Sequence, residues 1–223
     1  MHIKNVIDKS FLTKTFETAI LVGSSGDILN ENKGEFINKF PVIIRMNDSR
    51  TIGFEKDVGN RTTIRIINFK AIPNIIHSNF AKELLTTEIL ILNTPNEADI
   101  YKILPLRKIF NHLKIFLFTK DAILLNDNLF EKYTGINRKT SGSWLTTGWF
   151  SLFFMINYVK NKHVIGFGGE KKKSLYHYYS NNNLTQDDYY IQNQNSGQGH
   201  RFITEKHVFN KWIQEFNIIF HKL

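Results

Sequence analysis

Apolar residues along this chain fall into short continuous runs, separated by turn residues and by longer stretches with helical spacing. Ala19 to Val22, Pro41 to Met46 and Thr62 to Asn68 read as strands, and so do Glu88 to Leu92 (EILIL), Lys114 to Phe118 (KIFLF) and His163 to Phe167. Of these strands, Glu88 to Leu92 is a continuous apolar run of the kind that suits a strand covered on both faces, as in a parallel sheet. Between them lie an apolar segment at Ala71 to Ile76 and helical stretches at Ser78 to Thr86, Glu97 to His112 (interrupted by Pro105), Asp121 to Tyr133 and Gly148 to Asn161. A last helix is expected over Thr204 to His221, where Val208, Trp212, Phe216 and Ile219 recur at spacings of four, four and three. That spacing makes one apolar face for the sheet. The alternation predicts an α/β fold in a single domain, Met1 to Leu223, with a mostly parallel central sheet. The polar stretch Ser180 to Gly199 is the long loop, expected to be a mobile lid.

The first strands end in residues suited to a ligand. Ala19 to Val22 runs into Gly23-Ser24-Ser25-Gly26, and Pro41 to Met46 ends at Asn47. Small and amide residues at the carboxyl ends of parallel strands are how such sheets build nucleotide crevices. Glycines allow close backbone approach, and an asparagine supplies both donors and an acceptor. Trp144-Leu145-Thr146-Thr147-Gly148 reads either as an ordinary Thr-capped helix start or as one whose free N–H groups receive an anion. Thr140-Ser141-Gly142 is a competing match one turn earlier. His177, between Tyr176 and Tyr178, suits a packed core position or a site. His200 and Glu205 could equally be a loop histidine and a dipole-favouring carboxylate.

Composition narrows the setting. With 223 residues, 42% of them hydrophobic, one substantial core can be buried. No apolar run approaches the roughly 20 residues that span a bilayer, and the greasiest segment, Trp149 to Tyr158, fits a buried helix. There is no cysteine, hence no disulfide framework or thiolate metal site, and the expected location is cytoplasmic. No signal peptide is read in the first residues. The net charge of +9 points to an acidic partner or simply to a solvated surface. Lys102, Arg107 and Lys108 could mark a membrane-facing or glycolipid-facing surface.

The literal spelling is more specific than the chemistry. VGSSG, then RMND, then TIGFEKDVGNRTT in that order resembles the long sialyl motif of the eukaryotic-type sialyltransferases. Counting back from Ile165-Gly166-Phe167-Gly168 in that family's register selects Thr146-Thr147-Gly148 as the short motif. His177-Tyr178-Tyr179 resembles the third motif, with Ser180 where an acidic residue is usual, and His200 with Glu205 matches the very short one; His207 has no motif match. The resemblance covers about Ala19 to Phe209 and implies a variant Rossmann-like (GT-A-like) fold. It also implies inverting, metal-independent transfer of sialic acid from cytidine monophosphate-sialic acid to a glycan hydroxyl, with no other cofactor. On it His200 is the base, and His177 donates to the departing phosphate. Gly23, Ser24, Ser25, Asn47, Thr146, Thr147, Gly148 and Gly166 hold the donor. Glu205 orients the loop bearing His200, and Trp144 and Tyr178 support the site. Ser24 stands where the family usually has Asn, and Trp144 where Tyr is frequent. The family's paired cysteines align with Ala19 and Val159, so apolar packing must replace a disulfide. With no anchor read ahead of the domain, a soluble relative outside the Golgi is expected. Two alternatives remain: another cytidine monophosphate-activated acidic sugar such as Kdo, or a nucleotide or nucleic-acid binding module, although no nucleic-acid motif is present.

Overall fold

The computed structural model describes residues 15–72, 81–93, 105–106, 108–168, 174–180, 185, 187–188 and 199–223. In chain order these give β1 (Phe16–Val22), α1 (Gly34–Asn38), β2 (Val42–Met46), α2 (Glu55–Val58), β3 (Thr62–Asn68), α3 (Ala81–Leu84), β4 (Thr87–Asn93) and β5 (Lys114–Leu117). There follow α4 (Lys120–Thr134), β6 (Ser143–Trp144), α5 (Thr147–Tyr158), β7 (Val159–Ile165), β8 (Gly199–His200), α6 (Phe202–Glu215) and β9 (Ile219–His221). Seven strands form one sheet in the order β5-β4-β3-β2-β1-β7-β9. Every pairing in it is parallel. The expected α/β architecture and parallel sheet are therefore present. From β1 the chain winds outward through β2 to β5, then returns to place β7 on the other side of β1. That reversal between β1 and β7 is where an open α/β sheet leaves a crevice.

Strand alternation sorts the core. Ala19, Leu21, Ile44, Met46, Ile64 and Ile66 point to one face, under Phe130 of α4, Trp149 and Phe153 of α5 and Val208 and Trp212 of α6. Ile20, Val22 and Ile43 point to the other, against Ile28, Ile37, Phe40 and Val58. Further along, Leu90, Leu92, Ile115 and Leu117 meet Leu106 and Phe110 there. The β1 and β7 segments that contain Ala19 and Val159, where the family resemblance implied paired cysteines, are neighbours in the sheet, registered from Phe16 opposite Val159 to Val22 opposite Ile165.

Several expected boundaries move. The helix expected over Gly148 to Asn161 ends at Tyr158, and Val159 turns directly into a strand that stops at Ile165, not Phe167. The last helix ends at Glu215; Asn217 takes a left-handed φ of 51°, and Ile219 to His221 becomes the edge strand β9. The residues expected as helix over Ser78 to Thr86 are helical at Ala81–Leu84, with Leu85 and Thr86 in a turn. Of the stretch Glu97 to His112, Pro105, Leu106, Lys108 and Ile109 are helical, while residues 97–104 lie outside the described residues. So do most of the expected lid, the end of the Ala71 to Ile76 segment, and Lys102 and Arg107. Among the described residues no helix is long and apolar enough to cross a membrane.

Candidate active site

The carboxyl ends of β1 and β7 cross at two glycines. Gly23 N–H donates to the Ile165 carbonyl at 2.8 Å, and Ser25 N–H to that of Gly166 at 3.1 Å. A Cβ on Gly23 would lie 2.1 Å from the Gly166 oxygen, so nothing larger than glycine fits this approach. Gly166 itself holds a φ of 71°. Beside the crossing opens a cavity of about 330 Å³ lined by Gly23, Ser24, Ser25, Asn47, Thr146, Thr147, Gly148, Gly166, His177, His200 and Glu205. Segments as far apart in sequence as Gly23 and Glu205 thus meet at the predicted crevice. Trp144 and Tyr178, expected to support the site, do not line the cavity themselves.

Asn47 is held from three sides. It takes a left-handed φ of 44°, and its N–H donates to the Ile66 carbonyl at 2.9 Å. Its Oδ1 accepts from Asn68 N–H at 3.0 Å and from the Thr147 hydroxyl at 3.3 Å. Beneath it the buried Arg65 guanidinium donates to the Asn47 and Ser49 carbonyls, both at 2.9 Å. Arg65 also pairs with buried Glu83 at 3.5 Å, whose carboxylate receives the N–H groups of Thr51 and Ile52. Burial pulls the Arg65 guanidinium down to about 10, which leaves it cationic at neutral pH. Sequence reading missed this pair; the available signal was two arginines, Arg45 and Arg65, inside otherwise apolar strands.

Thr146 caps α5: its hydroxyl accepts from Trp149 N–H at 3.1 Å. Thr147 and Gly148 stand in the first turn, where N–H groups have no helical partner, and both line the cavity. Glu205 clamps this helix start. Its carboxylate receives Thr146 N–H at 3.0 Å and the Thr146 hydroxyl. The expectation that Glu205 orients the His200 loop is therefore redirected, because its partners lie on the α5 cap. Burial pushes the Glu205 carboxyl up to about 8, against the two Thr146 bonds that favour charge. At neutral pH it carries a proton.

His200 is placed instead by the β6–β8 ladder, where Trp144 pairs with His200. Its Nδ1 lies 2.9 Å from the Trp144 carbonyl. A carbonyl can only accept, so Nδ1 carries the hydrogen and Nε2 keeps its lone pair. Burial lowers the His200 pKa below 6.5, and nearby Lys70 adds to that; the Trp144 carbonyl opposes them. His177 sits between rings: Tyr179 stacks on it at 5.0 Å and 8°, and Tyr176 lies 4.0 Å away. Burial drives it down to about 4, outweighing Asp48, so it is neutral at pH 7. Among the described residues its Nδ1 is buried without a hydrogen-bond partner. Tyr179 is fixed in turn by its hydroxyl, which donates to Asp48 at 2.8 Å. Tyr178 faces the opposite way, into the second core, with its hydroxyl on the Arg50 carbonyl. Trp144 is 52% exposed, with its ring outside the cavity.

The geometry is that of a polar crevice with a basic imidazole on one wall, and a neutral imidazole and an open helix start also lining it. Residues 2–215 match the model of glycosyltransferase family 29 (sialyltransferase). The chain is 30% identical, over 95% of its length, to alpha-N-acetyl-neuraminyl-2,3-beta-galactosyl-1,3-N-acetyl-galactosaminide alpha-2,6-sialyltransferase of Mus musculus, and it spans 64% of that protein. It is 31% identical, over 97% of its length, to alpha-N-acetylgalactosaminide alpha-2,6-sialyltransferase 3 of Homo sapiens, spanning 76% of it. A crystal structure of a mammalian sialyltransferase in complex with Gal-beta-1-3GalNAc-ortho-nitrophenol superposes with a TM-score of 0.68 at 18% identity, covering 99% of this chain and 76% of that one. This last likeness is one of fold.

Proposed function

The chain belongs to glycosyltransferase family 29, the sialyltransferases, and from that membership and the crevice we propose that it moves sialic acid from its cytidine monophosphate ester to a hydroxyl of a glycan. The acceptor is a glycan of the galactosyl or N-acetylgalactosaminide type that its relatives' names carry. The observation that carries the reading is the tautomer of His200, whose Nε2 lone pair is free because Nδ1 is committed to the Trp144 carbonyl. Nε2 takes the acceptor proton as the acceptor oxygen bonds to the anomeric carbon. The bond from that carbon to the phosphate oxygen breaks on the opposite side, and the configuration inverts. Cytidine monophosphate leaves with the electron pair. His177 and the N–H groups at the start of α5 receive its charge, and Asn47 with the Gly23–Ser25 turn holds the nucleotide. A monophosphate leaving group asks for hydrogen-bond donors, and these residues supply them without a metal.

Release of cytidine monophosphate from mixed donor and acceptor is the direct assay. A positioned general base contributes about 10² to 10⁴ in rate, so His200→Ala lowers kcat by that factor with the melting temperature kept. Wild-type turnover in this variant would remove the base assignment. Faster turnover with a Kdo donor than with a sialic acid donor would reassign the sugar.

A further inference from the structure

The imidazole of His177 is aimed by its neighbours' rings. With no hydrogen-bond partner among the described residues at Nδ1, nothing at that nitrogen fixes its tilt. Two tyrosine rings touch it instead: Tyr176 at 4.0 Å and 41°, and Tyr179 at 5.0 Å and 8°, nearly parallel. A ring stacked in this way is free to slide unless its far end is tied. Tyr179 is tied there, because its hydroxyl donates to Asp48 Oδ1 at 2.8 Å. Burial pushes the pKa of that hydroxyl up and Asp48 adds to the rise, so the group stays a donor. Asp48 is itself a fixed anchor. The carbonyls of Asn47 and Ser49 on either side of it are held by the buried Arg65 guanidinium, each at 2.9 Å. Ser49 N–H donates to the Met46 carbonyl at 3.0 Å, and Thr51 N–H to buried Glu83 at 2.8 Å. Tyr176, His177 and Tyr179 line the cavity, and Asp48 does not.

Resting on the transferase reading, we propose that Asp48 is a positioning residue for departure of the phosphate: through the Tyr179 hydroxyl it sets the tilt of the His177 imidazole. A neutral imidazole has a single N–H, and it lies in the ring plane, so the tilt of the ring aims it. Hydrogen bonds weaken steeply as they bend. A donor that points correctly gains most as charge grows on the phosphate oxygen. Asp48 thus acts on the bond-breaking step from outside the cavity, without touching substrate.

The test is a set of paired variants of the intact protein, assayed for release of cytidine monophosphate. Asp48→Ala and Tyr179→Phe, the second of which keeps the ring and its packing, should each lower kcat about tenfold, the scale of one impaired hydrogen bond to a charged group. Asp48→Asn still accepts from the phenol through its amide oxygen. It should recover kcat to within about threefold of wild type, since a neutral acceptor gives roughly half the strength of a charged one. The deciding comparison is made in His177→Ala, itself slower by about 10² to 10³ for the loss of one donor. In that background neither Asp48→Ala nor Tyr179→Phe should lower kcat further. A loss of the same size with and without His177 would make Asp48 merely structural and overturn the proposal, as would an Asp48→Asn variant as slow as Asp48→Ala. A second readout needs no turnover: the ring-proton resonances of His177, displaced by the current of the stacked Tyr179 ring, should move in Asp48→Ala. Resonances that stay in place overturn the clamp. Resonances that move in a chain releasing no cytidine monophosphate with any acceptor would overturn the transferase reading and leave the clamp standing.

Discussion

Glu205 carries the sharpest quantitative expectation in the molecule. Its carboxyl is buried and, among the described residues, bonded only to Thr146, and its pKa is raised from 4.5 to about 8. In the unfolded chain the same carboxyl ionises near 4.5. Between these two values the folded protein holds a proton that the unfolded one has released. Stability is therefore complete below about pH 4.5 and falls as pH climbs through 8. At 1.36 kcal/mol for each pH unit of that gap, the ceiling on the loss is about 5 kcal/mol, and the Thr146 bonds to the ionised form are already counted in the value of 8.

Glu205→Gln keeps the shape, accepts from Thr146 N–H through its carbonyl and donates to the Thr146 hydroxyl through its amide, but it cannot ionise. Urea denaturation of both proteins from pH 5 to 9 measures the difference. The two should coincide within about 1 kcal/mol at pH 5, where little of the gap has opened, and the glutamine variant should lead by a few kcal/mol at pH 9. In a chain of this size that is a melting difference of the order of 10 °C. Glu205→Ala, which leaves Thr146 N–H without a partner, should be less stable than the glutamine variant at every pH. Parallel profiles for wild type and Glu205→Gln across the range would refute the buried, protonated carboxyl.

Gly23→Ala places a methyl carbon 2.1 Å from the Gly166 oxygen, so it should cost at least about 3 kcal/mol, at the upper end of overpacking penalties, and abolish binding of cytidine monophosphate, read by urea midpoint and titration. Tyr178→Phe loses one hydrogen bond to the Arg50 carbonyl; it should cost about 1 kcal/mol and leave turnover within about twofold, separating Tyr178 from its neighbour His177. Because His200 titrates below 6.5 and must be neutral to take a proton, kcat/KM should be flat at neutral pH and fall only as pH drops below that value. A decline already beginning above pH 7 would point to a different base.

The sheet was legible because β1, β2, β3 and β4 are mostly apolar runs ended by a polar or turn residue, with Arg45 and Arg65 the charged residues inside β2 and β3. β3 was predicted residue for residue, and β4 within one residue at each end. Where apolar character continues across a boundary, the signal disappears. Phe153, Phe154, Met155, Tyr158 and Val159 belong to one greasy run, and nothing in it announces that a helix becomes a strand at Val159. At the carboxyl end, Phe216 and Ile219 continue the helical spacing of Val208 and Trp212, and a single left-handed asparagine overrides it. β6 and β8 have two residues each and pair across 56 positions, so no local pattern marks them. The site divides in the same way. Motif order gathers the right segments but not the direction of each side chain: His177 and Tyr179 stack on one side while Tyr178 between them faces the core. The supports of Asn47 and His177 were out of reach, since Arg65 with Glu83 and Tyr179 with Asp48 are partners only in three dimensions.

On the proposed reaction, the crevice would keep a strongly basic protein from holding its cytidine monophosphate product too tightly. Cytidine monophosphate and its sialyl ester both present anions, so a cluster of fixed cations would bind substrate, transition state and product alike and add little to rate. Burial removes that uniform attraction. His177 is neutral near the Gly23–Ser25 turn, because its burial outweighs Asp48 and the Ser24 and Tyr176 backbone, which favour its charged form. Glu205 is protonated under the α5 cap, so no carboxylate charge repels the donor there. Apart from Lys206, which also lines the cavity, what remains on these walls is a set of oriented dipoles: the first N–H groups of α5, the Gly23–Ser25 turn, the Asn47 amide and an imidazole. Such donors strengthen most where charge grows, on the phosphate oxygen as its bond to the sugar breaks. The same desolvation that appears as a cost in each folded-state pKa thus confines the site's electrostatic gain to the step that needs it.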